Sequence, residues 1–239
     1  MKQDPEQTKY RRIILKLSGE FFGKQDSSFS TKTIEYTVKQ IAAARKIDTK
    51  IGIVVGAGNI IRGRDAQGLN KIDADRCGMM ATVINGLILC SMLRKAGHEA
   101  KLSSAIAVEG IAERFNASQD QAFYDAGGII VFGGGTGNPL FTTDTAAALR
   151  AAELNADVLV KGTKVEGVYS SDPECDTHAT FFKNLTYEQV ITKHLKVMDL
   201  AAFNICREAN IPICVYNFTK HELADVISGK DLGTIISGG

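Results

Sequence analysis

The run Phe132-Gly-Gly-Gly-Thr-Gly-Asn-Pro-Leu-Phe-Thr-Thr-Asp144 has the residue types of an anion site. Gly133, Gly134, Gly135 and Gly137 lack the Cβ atoms that keep an anion away from backbone N–H groups, while Thr142, Thr143 and Asp144 fall where a following helix exposes unpaired donors. Taken alone, the run also suits a tight strand-to-helix connection with an ordinary cap. A second run, Gly56-Ala-Gly-Asn-Ile-Ile-Arg-Gly63, has the same character and adds a cation at Arg62. Lys16 and Lys161 each close an apolar stretch, Ile13-Ile-Leu-Lys16 and Val158-Leu-Val-Lys161. An ammonium buried there is costly unless it meets an anion or reaches solvent along its stem. Two phosphate cradles and three cations point to two phosphorylated groups held together, the geometry of phosphoryl transfer. Two like charges ~4 Å apart repel by roughly 4 kcal/mol at an effective dielectric near 20, so fixed cations and backbone dipoles must stand between the reactants. An acceptor that is itself a phosphate or carboxylate attacks with an oxygen already ionised. It needs no general base, which agrees with the lack of histidine in both loops; Asp144 then orients the lysines or a metal ion instead of removing a proton.

The elements that must position these residues follow from periodicity. Arg11–Leu17, Lys50–Val55, Glu99–Ala107, Ile129–Phe132, Asp157–Lys161 and Pro212–Tyr216 read as strands. Between them lie helices capped by Ser30 or Thr31, a long helical pattern from Asp73 to Lys95, a polar helix from Asn116 to Asp125 and a helix from Thr143 to Asn155. Thr186-Tyr-Glu-Gln189 is a capping box, Asp199 caps a further helix, His221–Ser228 is helical, and Thr234–Ile236 is expected to close the sheet as an edge strand. Strands alternating with helices predict an α/β fold, a three-layer αβα sandwich around an open, mainly parallel sheet. In such a sheet ligands gather at the carboxyl ends of the strands, where Lys16, both glycine loops and Lys161 all fall. The pattern at 73–95 is apolar over most of its circumference and is interrupted by Thr82, Asn85 and Ser91; it predicts a core helix or one with a flank against another subunit.

The bulk properties limit the alternatives. With 239 residues, 44% of them apolar, the chain can bury a full core, and residues 10–239 are expected to form one domain with an acceptor-side half at about 10–155 and a nucleotide-side half at about 156–239. Residues 1–9 hold no apolar run and read as a frayed tail. A net charge of +1 gives no global attraction to nucleic acid or membrane. Five cysteines without a C-x-x-C pair suit reduced thiols in the cytoplasm, and four scattered histidines argue against a zinc site. There is no G-x-x-x-x-G-K-[ST], no protein-kinase signature, no G-x-S-x-G and no H-E-x-x-H. Gly56 to Gly63 approaches the dinucleotide fingerprint, with Asp73 or Asp75 as its acid, so a dehydrogenase is one alternative.

Lys16-Leu-Ser-Gly19, Gly56-Ala-Gly-Asn-Ile-Ile-Arg62, Gly78-Met-Met-Ala-Thr-Val-Ile-Asn-Gly86, Gly135-Thr-Gly-Asn-Pro-Leu-Phe-Thr-Thr-Asp144 and Lys196-Val-Met-Asp-Leu-Ala-Ala-Phe203 together resemble bacterial uridylate (UMP) kinases, within the amino-acid kinase fold. The resemblance implies transfer from ATP to UMP in pyrimidine biosynthesis, with magnesium accompanying ATP. It implies that Lys16, Leu17, Ser18, Gly19, Gly58, Arg62, Thr163, Tyr169 and Asp172 face ATP. UMP would meet Ala57, Asp75, Thr136, Gly137, Asn138, Pro139, Leu140, Phe141, Thr142 and Thr143, and Lys16, Arg62, Asp144 and Lys161 would serve the reaction. It also implies a homohexamer with allosteric control, inhibited by UTP and activated by GTP. Two departures stand out. Ala57 replaces a glycine at the close approach to UMP, and the segment 20–29, glycine-rich in the family where GTP acts, keeps only Gly23, which argues against a GTP response. A kinase of the same fold acting on a carboxylate or carbamate, and a catalytically silent nucleotide sensor, are the remaining alternatives.

Overall fold

Successive side chains of a strand point to opposite faces, and in this chain that parity sorts the apolar residues into two layers. The computed structural model describes residues 8–23, 28–61 and 68–238. Its strands are β1 (Arg12–Leu17), β2 (Lys50–Val55), β3 (Ala100–Ser104), β4 (Glu113–Arg114), β5 (Ile129–Gly133), β6 (Val158–Thr163), β7 (Val168–Tyr169), β8 (Phe181–Phe182), β9 (Asn184–Thr186), β10 (Ile213–Asn217) and β11 (Thr234–Ser237). The helices are α1 (Thr31–Arg45), α2 (Lys71–Lys95), α3 (Ala117–Asp125), α4 (Thr143–Glu153), α5 (Tyr187–Thr192), α6 (Leu200–Glu208) and α7 (Leu223–Ile227).

Nine strands form one sheet in the order β4-β3-β5-β2-β1-β6-β10-β11-β9, parallel except where β11 runs against β10; β7 and β8 form a separate hairpin. Ile13, Leu15 and Leu17 of β1 point into a core made with α1, α2 and α7. Ile14 points the other way, into a core made with α3, α4, α5 and α6. The three-layer αβα arrangement expected from the strand and helix alternation is therefore present. From β1 the chain builds the sheet first toward β2, β5 and β3, then, after α4, on the opposite side through β6 and β10. The reversal sets a crevice at the carboxyl ends of β1 and β6, where open α/β sheets take their ligands.

Two expectations need correction. Thr234–Ser237 is no edge: it pairs with β10 on one side and with β9 on the other, so the edge is β9, a three-residue strand too short to carry a readable alternation. The long helix begins at Lys71, two residues before Asp73, because the Asn70 side chain accepts from the Asp73 N–H and caps it. The cap at Ser30, the capping box at Thr186–Gln189 and the cap at Asp199 occur as expected. α2 has the length and apolarity of a membrane span, yet half of its most apolar stretch is buried inside the fold, as for a core helix.

Candidate active site

Parity brings the two lysines together. Lys16 lies two residues after Ile14 and Lys161 two after Leu159, so both point to the layer that holds α4. β1 and β6 are parallel neighbours with Lys16 directly opposite Lys161. Above them the N-terminus of α4, capped by the Thr142 hydroxyl, delivers Asp144. Its two carboxylate oxygens divide between the ammonium groups, Oδ1 at 2.7 Å from Lys16 Nζ and Oδ2 at 2.7 Å from Lys161 Nζ. Lys161 also donates to the Val197 carbonyl.

Burial alone would raise the Asp144 pKa, but the charges of Lys16 and Lys161 outweigh it and hold the group at about 2. Lys161 moves down, first because burial disfavours its charge and then because Lys16 repels it, with Asp144 opposing both. The cluster carries two positive charges against one negative, in a place nearly closed to water. It keeps one positive charge in excess of neutrality, and an arriving phosphate would balance it.

Two cavities flank this triad. The larger, about 570 Å³, is lined by Thr163, Tyr169 and Asp172 of the expected ATP-side residues and by Lys161 of the expected catalytic ones. The smaller, about 250 Å³, is lined by Ala57, Asp75, Thr136, Asn138, Phe141, Thr142 and Thr143 among the expected UMP-side residues. Thr143 immediately precedes Asp144, so the triad stands where the two cavities approach each other.

Other expected residues sit differently. Gly58 lines the smaller cavity. Gly137, Pro139 and Leu140 do not; Leu140 is exposed at φ 72° and its N–H donates to Asp75 Oδ2 at 2.8 Å, tying the loop to that carboxylate. The Leu17 side chain is fully buried, so only its main chain could meet a ligand, and its carbonyl already accepts from Gly56 N. Ser18 caps the short 3₁₀ turn Gly19–Phe21. Gly19 lies so close to the second glycine loop that a Cβ there would stand 2.3 Å from Gly58 N. Arg62 lies outside the described residues.

Sequence reasoning missed several groups. Lys196 and Val197 line the larger cavity, and Asp199 accepts from the Thr142 and Thr145 hydroxyls while capping α6, so that it braces the N-terminus of α4. Met79 and Thr82 of α2 line the smaller cavity. A readable signal existed for Thr82: a polar residue interrupting an apolar helix needs a partner.

The comparisons agree with this geometry. Residues 11–217 match the amino acid kinase family. A uridylate kinase of Brucella anthropi is 45% identical over 232 residues, covering 95% of this chain and 97% of the relative. Among solved structures, the UMP kinase of Bacillus anthracis superposes with a TM-score of 0.92 at 33% identity, covering 95% of this chain and 96% of that one. The UMP kinase of Ureaplasma parvum gives 0.88 at 34%, covering 95% and 98%. A match over nearly the whole length, joined to two lysines sharing one aspartate at the centre of the sheet, leads to one conclusion: the chain belongs to the uridylate kinases of the amino acid kinase family.

Proposed function

We propose that the protein transfers the γ-phosphoryl group of ATP to UMP, giving ADP and UDP, in pyrimidine biosynthesis. The observation that carries this reading is the Lys16–Asp144–Lys161 triad between two cavities of different size. The larger cavity takes ATP and the smaller takes UMP; the first is lined by residues between 161 and 215 and the second by residues between 57 and 143, which supports a nucleotide-side and an acceptor-side half within one domain.

Catalysis on this reading is positioning and charge stabilisation. Lys16 and Lys161 neutralise the equatorial oxygens of the transferring group, with Arg62 assisting from the acceptor loop. Asp144 holds the two ammonium groups apart at a fixed spacing. With a pKa near 2 it is far too weak a base to take a proton, and a UMP phosphate oxygen has none to lose. Among the described residues no group of three or more His, Cys, Asp or Glu side chains could hold a metal ion, and both oxygens of Asp144 are engaged by lysines. This donor set fits magnesium carried on the ATP phosphates, where it offsets their charge.

The assembly we propose is a homohexamer. Its support is a stripe of exposed apolar side chains on α2, Met80 at 44%, Ile84 at 44% and Leu87 at 41% exposure, which a partner copy would cover. UTP, sharing the base of UMP, is the proposed inhibitor. GTP activation is not part of the proposal: in the atypical 20–29 segment Phe21 and Phe22 are packed into the core instead of forming a glycine-rich surface. Buried, unbridged Cys90, Cys206 and Cys214 support a cytoplasmic location.

A coupled assay with ATP, magnesium and each nucleoside monophosphate in turn tests the reaction. UMP is expected to be the preferred acceptor; equal or faster turnover of CMP or AMP would defeat the uridylate reading. Light scattering at the monomer mass would remove the hexamer.

A further inference from the structure

Three polar residues interrupt the apolar run of α2, and the structure treats them differently. Ser91 is exposed. Thr82 and Asn85 are buried, at 3% and 0% exposure, one helical turn apart on the same face. A buried hydroxyl and a buried amide in a helix interior are unfavourable unless their hydrogen bonds are made, and Val or Leu would fill the same core space without that cost. Their partners explain their presence. Thr82 Oγ1 donates to its own helix at Met79 O, 2.7 Å, and accepts from Gly134 N of the first glycine loop at 2.8 Å. Asn85 Nδ2 donates to Gly56 O of the second glycine loop at 2.7 Å and to Asn59 Oδ1 at 2.8 Å. Asn59, itself buried, returns a bond from Nδ2 to Asn85 Oδ1 at 3.1 Å and gives another to the Ser28 carbonyl at 2.7 Å.

Each loop is therefore fastened by a main-chain atom to the same turn of one helix. The packing is close as well: a Cβ at Gly133 would stand 3.1 Å from Val83 Cα, so the first loop rests directly on α2 between the two polar residues. Gly134 holds φ 74°, a left-handed conformation that turns its N–H toward Thr82. The second loop in turn abuts the Ser18–Gly19 turn that follows Lys16, through the Gly19 to Gly58 approach.

We propose that Thr82 and Asn85 are positioning residues that set the distance between the two glycine loops, and with it the placement of the acceptor phosphate relative to Lys16. The inference rests on the reading that these loops hold the reacting phosphates. Thr82 acts on the acceptor side alone, since it lines the smaller cavity and holds the loop that leads to Thr136–Thr143. Asn85 acts on both sides, because its loop touches the acceptor cavity and the Gly19 turn alike.

Steady-state kinetics on the full chain, with ATP and UMP varied separately, test this. Wild-type turnover of UMP is the control for the underlying reading: if another monophosphate is the acceptor, that reading fails and the variants are measured with the monophosphate that is turned over. Thr82→Val keeps the shape and removes the hydroxyl; KM for UMP should rise roughly five- to ten-fold, the factor of one lost hydrogen bond, with KM for ATP within two-fold of wild type. Thr82→Ser restores the hydroxyl and should restore KM. Asn85→Leu should lower kcat and raise both KM values, and the double variant should lose less than the product of the single losses, because the second tether matters little once the spacing has gone. Equal shifts of both KM values in Thr82→Val, no rescue by serine, or a fall in melting temperature with unchanged kinetics would each overturn the proposal.

Discussion

The larger cavity is walled by Lys161 and Thr163 of β6 and Val215 of β10 together with the segments 165–173 and 194–197, contributed by stretches far apart in the chain. The smaller is walled by two glycine loops and one face of α2. The larger borrows its charge from side chains, through Lys161 and its neighbours Asp144 and Lys16. The smaller relies on main-chain groups, held by the buried amide and hydroxyl of α2 and by Asp75 where it receives the Leu140 N–H. One side is organised by ion pairs between side chains and the other by hydrogen bonds to main-chain groups. The first should therefore govern the chemical step, the second the fit of the acceptor.

Lys16→Ala attacks the charged side and should have the largest effect. Loss of one preorganised cation at a developing phosphoryl charge lowers kcat by on the order of 10²–10³, with KM for UMP little moved. Steady-state rates measure it, and a near-normal kcat would end the assignment.

Gly19→Ala is the substitution that should erase the distinction between the two sides. Its methyl group would lie 2.3 Å from Gly58 N and 2.6 Å from Asn59 Oδ1, so main chain must shift. We expect a stability loss of about 1–3 kcal/mol, as for overpacking elsewhere, with both KM values rising together. Chemical denaturation and the two KM values would show it; a change in only one KM would mean that the loops move independently.

The pH dependence of stability isolates the ion-paired centre. The Asp144 pKa is lowered in the fold, so its contribution is complete above the ordinary carboxylate value near 4 and is lost as pH falls through about 2. The difference amounts to about 2 kcal/mol, and in Asp144→Asn the acid limb of the unfolding curve should flatten over that interval. The acid limb of kcat above about pH 4 should be unaffected by this group, because its lowered pKa keeps it ionised there.

Asp75→Asn is the smallest change and touches the smaller cavity alone. The amide can keep one oxygen for the Leu140 N–H but loses the negative charge at the wall of the smaller cavity, and we expect KM for UMP to rise roughly ten-fold with KM for ATP constant. A shift in ATP affinity would place Asp75 on the wrong side of the comparison.

Much of this was legible in the chain. Unbroken apolar runs ending in Lys16 and Lys161 marked buried strands with an unexplained cation, and the glycine-rich runs marked the loops at the strand ends. The edge order of the sheet was not legible, because β9 and β4 are too short for periodicity to register. Nor was the service done by Thr82 and Asn85, which as sequence were merely breaks in an apolar helix; their meaning depends on which loop atoms lie opposite them. Asp199 behaves alike: its role as a helix cap is local and readable, its hold on Thr142 and Thr145 is not.

Residue order by itself determined the strands, the helix caps and the identity of the charged groups, since these follow from neighbours along the chain and from the costs of burying charge and leaving backbone unpaired. Only the tertiary structure decided that Lys16 stands opposite Lys161 beneath Asp144, and that one turn of α2 fastens both loops. Strand register and helix placement arise from packing among segments tens to more than a hundred residues apart, and no local preference encodes them.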